Sequence, residues 1–164
     1  MKIAISGGPC CGKSSVIDVL DDLGYITIKE QARELKKQGF VAENDPVLFE
    51  NLLLAKQYNL ESITSSEPVF IDGGHVDMYA FCKYFGVYDN VYKYKFDRYN
   101  TFFVLDRLQD YVQDSERNQT RHEAETLHKY IIQEAIDRKY NIIYVPNMTV
   151  KERVEFILKK IKKN

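Results

Sequence analysis

The sequence predicts a three-layer α/β fold, a five-stranded parallel sheet with helices on both faces. Short apolar runs recur at residues 3–5, 25–28, 69–71, 102–105 and 142–145, and most of them are separated by stretches with helical spacing. The length of 164 residues suits one hydrophobic core.

Residues 3–5 run into a glycine-rich turn, as a fully buried parallel strand does. From Lys13 onward Val16, Ile17, Leu20 and Leu23 recur at helical spacing, and Gly24 follows where a left-handed C-terminal cap belongs. A second strand over 25–28 leads to a helix from about Glu30 that stops near Gly39. Asp45 before Pro46 is an N-cap and first-turn pair for a long helix carried by Phe49, Leu52, Leu53, Leu60 and Ile63 toward Ser65. Residues 69–71 and 102–105 are the third and fourth strands. A helix over about 121–139 turns Ala124, Leu127, Ile131 and Ala135 inward, and 142–145 is the fifth strand. Thr149 and Glu152 form a capping box for a last helix with Val150, Val154, Ile157 and Ile161 inside. No repeat, low-complexity linker or second domain interrupts the series, so residues 1–164 read as a single domain.

Composition narrows the function. With 45% hydrophobic residues and 23 basic against 24 acidic side chains, the chain is globular, and its net charge of -1 argues against general binding to a nucleic-acid backbone or its ends. Cys10 and Cys11 are adjacent and the cysteines number three, a poor basis for disulfides or zinc. Those thiols, the absence of a signal-peptide pattern after Met1 and the absence of a long apolar run lead to the expectation of a cytoplasmic protein without a membrane span. His75, His122 and His128 lack metal-ligand spacing, and Lys159, Lys160, Lys162 and Lys163 read as a solvated helix end.

Gly7, four residues, then Gly12, Lys13 and Ser14 match the Walker A phosphate loop, in the required setting after a strand and before a helix. Gly7, Gly8, Pro9, Cys10, Cys11, Gly12, Lys13, Ser14 and Ser15 are therefore the expected nucleotide-binding residues. Backbone N–H groups turn inward on the phosphates and the helix N-terminus adds positive potential. Lys13 reaches the β- and γ-phosphates, while the Ser14 hydroxyl ligates Mg2+. Cys10 and Cys11 fill positions that tolerate any small side chain. Asp72 ends a hydrophobic strand, the position from which a carboxylate holds hydrated Mg2+; with Gly73 and Gly74 after it, it is also good turn chemistry.

Taken in order, ISGGPCCGKSS, KEQARELKKQG, Gln57 with Glu61, FIDGGHVDMYAF, QDSERN and VPNMTVKERVEFIL give the chain a resemblance to the nucleoside-kinase-like family of small AAA-domain P-loop proteins, related to ribosylnicotinamide kinases. That resemblance implies a P-loop NTPase fold with a lid over about 107–121. It implies that Glu30 and Arg33 face an acceptor pocket, with Glu30 taking the proton of an attacking hydroxyl. Asp77, Gln57 and Glu61 would lie near the same pocket. Arg117 and Arg121 would be lid cations that neutralise the transferring phosphoryl group; by themselves they read as partners of surface acids. Where related sequences carry arginine after the strand-ending aspartate, this chain has Gly73, so another arginine takes over that charge or transfer is weakened.

Residues 79–103 contain eleven aromatics, material for core packing and for a stacking pocket. The expected function is a magnesium-dependent kinase, with ATP or GTP as donor and a nucleoside, nucleotide or similar metabolite as acceptor. The alternative is a nucleotide-dependent switch that hydrolyses slowly. Against the switch, the residues from Asp72 to His75 lack a GTPase glycine in fourth place, and no Asn-Lys-x-Asp guanine reader occurs.

Overall fold

The computed structural model describes residues 1–62, 65–108 and 120–162. Its strands are β1 (Lys2–Ser6), β2 (Ile26–Ile28), β3 (Val69–Asp72), β4 (Thr101–Leu105) and β5 (Ile142–Val145). The helices are α1 (Lys13–Asp22), α2 (Ala32–Lys37), α3 (Pro46–Glu61), α4 (His75–Tyr84), α5 (Arg121–Asp137) and α6 (Val150–Ile161). All five strands are parallel, in the order β2-β3-β1-β4-β5. With β1 between β3 and β4, the chain winds outward in both directions, and a ligand crevice opens at the C-terminal ends of the central strands. Ser6 and Asp72, the last residues of β1 and β3, both stand on that edge.

Alternation along β1 divides the core. Ile3 and Ile5 pack with Val16, Ile17 and Leu20 of α1 and Val154 and Ile157 of α6. Ala4 points the other way, into a cluster with Ile71, Val76, Phe102 and Ala135. A third cluster joins Leu35 to Phe49, Leu53 and Leu54 of α3 and Met78, Tyr79 and Cys82 of α4. The expected caps form: Asp45 accepts from the Leu48 amide at 2.9 Å, and Thr149 with Glu152 makes the capping box of α6. Among the described residues, no helix is long and apolar enough to cross a membrane.

Two features differ from the sequence reading. The second helix starts at Ala32 with Gln31 as N-cap, leaving Glu30 in the approach to it. Helix α4 was not expected at all: Val76 through Ala80 are buried in succession, so it lacks the apolar stripe that marks a surface helix.

A buried polar cluster holds α4 at its start. The Tyr99 hydroxyl accepts from the His75 amide at 2.9 Å and donates to Glu61 Oε1 at 2.8 Å. Gln57 also donates to that oxygen at 2.8 Å, and His75 Nδ1 lies 3.2 Å from Glu61 Oε2. The His75 ring stacks between Phe96 and Tyr99, at centroid distances of 4.3 and 4.5 Å. At the other end of α4, Lys83 and Arg138 reach buried Glu134 of α5 at 2.5 and 2.6 Å. Replacing Tyr99 with Phe strands a buried amide and weakens the hold on Glu61. Urea unfolding is expected to show a loss of about 1–3 kcal/mol; an unchanged midpoint would remove the cluster from the account of how α4 is held.

Candidate active site

The turn after β1 needs backbone that ordinary side chains avoid: φ is +135° at Gly7, +60° at Cys10 and +88° at Gly12. Gly12 is the N-cap of α1 and, among the described residues, no side chain caps the helix, so its first N–H groups are available to an anion. Lys13 folds back across the loop and donates to the Gly7 and Gly8 carbonyls at 2.6 and 3.1 Å. Burial alone would depress the Lys13 pKa, but the negative potential of Cys11, Asp77, Asp72 and Glu30 outweighs it and raises the value.

Two residues that the sequence reading did not assign fix this loop. His128 of α5 accepts the Gly8 N–H through Nδ1 at 2.9 Å. A Cβ at Gly8 would come within 2.8 Å of the His128 Cβ, so glycine lets α5 pack directly on the loop. Burial lowers the His128 pKa, with Arg107 and Lys13 adding to the effect, which favours the neutral acceptor form. Arg153 of α6, only 1% exposed, lies behind the loop. Its guanidinium donates to Cys11 O at 2.5 Å, Asp106 O at 2.9 Å and Pro146 O at 3.3 Å. Cys11 is itself 1% exposed and packs in the core beneath the turn.

On the facing edge, Ser14 Oγ donates to Asp72 Oδ2 at 2.9 Å. One serine oxygen and one carboxylate side by side suit Mg2+, which is held by few protein ligands together with waters and phosphate oxygens. Asp77, on the first turn of α4, is 6% exposed; its Oδ1 accepts from the Ser6 hydroxyl and its Oδ2 has no hydrogen-bond partner among the described residues. Burial raises its pKa to about 7 although Lys13 opposes the shift.

These residues open into a cavity of about 540 Å³. Its walls include loop residues Pro9 to Ser14, Glu30 and Arg33, Asp72 to Gly74, Asp77, and apolar side chains such as Phe49, Leu53, Met78 and Phe81. Glu30 and Arg33 are half-exposed and 3.8 Å apart. Glu50 is 3% exposed on the apolar side, where burial raises its pKa to about 7 and the Cys82 thiol approaches at 3.7 Å.

Most of the expected site residues therefore meet at one edge of the sheet. Gly7 and Gly8 contribute carbonyls to Lys13, whereas Ser15 is exposed outside the cavity lining. Arg121 is exposed and paired with Glu125 at 3.3 Å, away from the cavity walls. Arg117 and most of the expected lid lie outside the described residues. Gln57 and Glu61 do not reach the pocket, because they are engaged in the Tyr99 cluster. A sequence signal existed for two of the missed residues. Arg153 falls in register with Val150, Val154 and Ile157, and Glu50 with Leu53 and Leu54, so each is a charge at an apolar position.

The family model of the AAA domain matches residues 2–153. A search of curated proteins finds no match. Among solved structures, NadR protein in complex with NR superposes with a TM-score of 0.77 at 11% identity, covering 99% of this chain and 50% of that one. This chain thus spans half the length of that relative. Deoxyadenosine kinase from M. mycoides with bound dCTP gives a TM-score of 0.65 at 18% identity, covering 100% of both chains. Shikimate kinase from Aquifex aeolicus gives 0.61 at 19% identity, covering 99% of this chain and 96% of that one. The fold is that of P-loop kinases.

The raised Glu50 carboxyl has a consequence for stability. Between the ordinary glutamate value and about 7 the folded state keeps a proton that the unfolded chain releases. Its contribution therefore becomes less favourable as pH rises through that window, and the deficit persists above it. Glu50→Gln is expected to stabilise the protein at pH 8 by roughly 1–3 kcal/mol and to have little effect near pH 4.5. Equal effects at the two pH values in thermal unfolding would rule out a raised pKa at this site.

Proposed function

Since the chain belongs to the AAA-domain family, whose model spans residues 2–153, we propose that it is a kinase that moves the γ-phosphoryl group of ATP to a small hydroxyl-bearing acceptor. It is a nucleoside-kinase-like small P-loop protein. The observation that carries the reading is that the phosphate loop opens into a cavity much larger than a water molecule needs. Lys13, Ser14 and Asp72 line the same 540 Å³ cavity as apolar side chains such as Phe49, Leu53, Met78 and Phe81. A hydrolase needs room beyond the γ-phosphate only for water, whereas a kinase needs an acceptor site.

In this reading the loop amides and the α1 N-terminus cradle the triphosphate, and Lys13 exchanges its carbonyl partners for phosphate oxygens. Ser14 and Asp72 hold Mg2+, which when bound neutralises charge on the β- and γ-phosphates. Glu30 and Arg33 flank the acceptor side, and Arg117 and Arg121 are the lid cations that would close over it. The protein's contribution is positioning and charge neutralisation. GTP remains an alternative donor, and slow hydrolysis coupled to a switch is the rival activity.

A coupled ADP-release assay with ATP, Mg2+ and a panel of nucleosides and nucleoside monophosphates tests the proposal. One acceptor is expected to stimulate turnover, and Lys13→Ala is expected to reduce that rate by about 100-fold or more. ATP turnover indifferent to every acceptor would favour the switch. Arg153→Lys, which cannot reproduce the three carbonyl contacts of Arg153, is expected to raise KM for ATP about tenfold in a folded protein. An unchanged KM would mean that the loop keeps its shape without the guanidinium.

A further inference from the structure

The buried acids of this fold differ in the partners they keep. Glu50, Glu61, Asp72, Asp77 and Glu134 are all 6% exposed or less. Tyr99 and Gln57 donate to Glu61, Ser14 to Asp72, Ser6 to Asp77 and Arg138 to Glu134. Among the described residues Glu50 has one donor, the thiol of Cys82, which approaches Oε2 at 3.7 Å. A thiol is a weak donor, so this carboxyl is buried at a cost that its protein contacts do not offset. A cost of that kind is kept where a ligand uses the group.

The placement of the side chain shows where such a ligand would come from. Glu50 lines the 540 Å³ cavity beside Phe49, Leu53, Met78 and Phe81. Among the described residues no hydrogen bond reaches its Oε1, and unlike Asp77 Oδ2 this oxygen is not enclosed, so it opens on the cavity. An apolar wall carrying one polar group has the composition of a small-molecule site, in which the polar group fixes orientation. Aromatic and aliphatic neighbours of this kind suit a planar body.

The protonation of the carboxyl narrows what that body presents. Arg33 and Lys36 of α2, Glu43 before α3, Asp77 of α4 and Glu123 of α5 share the cavity walls with Glu50. None of them is a cause of its shift: burial raises the pKa to about 7, and the Cys82 thiol opposes it. Burial also raises the pKa of Cys82, so the thiol keeps its proton and donates it to Oε2. With Oε2 as the acceptor, the proton of the neutral acid sits on Oε1 and points a hydroxyl donor into the cavity. Its complement is a ring nitrogen or a carbonyl oxygen. A ligand without such an atom leaves the buried hydroxyl unpaired, which is how a polar group in an apolar pocket rejects an analogue of the same shape.

We infer that Glu50 is a specificity-determining residue of the acceptor pocket, whose Oε1 hydroxyl donates a hydrogen bond to a ring nitrogen or carbonyl oxygen on a planar body lying against Phe49, Leu53, Met78 and Phe81. This deepens the kinase reading above and rests on it, since the planar body is taken to be that of the phosphoryl acceptor.

The test titrates benzimidazole and indole, which differ by one ring-nitrogen acceptor, into protein loaded with Mg2+ and AMP-PNP, with binding read by NMR at pH 6.5 and 8.5. The wild type at pH 6.5 is expected to bind benzimidazole about tenfold more tightly than indole, or better. That preference is expected to vanish at pH 8.5, where the carboxylate has no proton to donate. Glu50→Gln keeps a donor in place and is expected to hold the preference at both pH values. Glu50→Leu puts an apolar residue in an apolar wall, which keeps the protein folded, and is expected to bind the two compounds within about threefold of each other. The same ratio in all three proteins at both pH values would mean a merely structural Glu50 and would overturn the inference, as would binding of neither compound. The coupled ADP-release assay separates the two readings. Glu50→Leu is expected to lower kcat/KM for the stimulating acceptor about tenfold or more, with KM for ATP within about threefold of the wild type. An acceptor used equally well by the wild type and Glu50→Leu would overturn the inference and leave the kinase reading standing. A benzimidazole preference in a protein whose ATP turnover no acceptor stimulates would support the Glu50 contact and overturn the kinase reading.

Discussion

The Arg153 guanidinium joins three backbone carbonyls, Cys11 in the phosphate loop, Asp106 after β4 and Pro146 after β5, and the geometry of the site rests on that junction. A loop that turns its N–H groups toward a ligand turns some of its carbonyls away from it, and buried carbonyls need donors. Arg153 supplies one from below and Lys13 supplies another from above, at Gly7 and Gly8. The two cations divide the work. Lys13 is at the cavity and can exchange its carbonyls for phosphate oxygens, while Arg153 is enclosed and stays. A preorganised electrostatic site needs such a fixed partner, because reorganising dipoles during the reaction would cost part of the stabilisation they provide.

Acids on the opposite side of the loop complete the electrostatics. Asp72 and Asp77 lie close enough to Lys13 to raise its pKa, and burial raises the pKa of Asp77 to about 7. Holding a carboxyl in this way costs stability, and the cluster of Tyr99, His75, Glu61 and Gln57 bears on that cost. It fixes the start of α4, and Asp77 follows two residues after His75 on the same turn. The packing of α4 between α3 and α5 thus decides where one carboxyl oxygen stands. Folding and chemistry are linked here through a short rigid element and through Gly74, which lines the cavity and packs against the Tyr99 hydroxyl.

Much of this architecture was legible in the sequence because its physics is local. The five strands are short apolar runs, the caps at Asp45 and Thr149 are side-chain hydrogen bonds within a few residues, and the Gly7 to Ser14 spacing is itself a structural motif. What escaped was non-local. Helix α4 is buried around most of its circumference and shows no period, so its existence follows only from what packs against it. Gln57 and Glu61 are polar at core spacing; they belong to a buried network, and only the position of Tyr99, 38 residues from Glu61, reveals this. Arg153 contacts a carbonyl 142 residues away. A polar or charged residue in register with an apolar stripe is the signal shared by Gln57, Glu61 and Arg153, and it indicates burial with partners before it indicates what those partners are.

The central claim is that the loop and the cavity together transfer a phosphoryl group rather than release it. Mass spectrometry of a reaction containing ATP with an 18O-labelled γ-phosphate, Mg2+ and a pool of unlabelled nucleosides tests this most directly. The labelled phosphoryl group is expected on one pool member, with ADP formed in equal amount. Label recovered only as inorganic phosphate, with the pool unchanged, would contradict it.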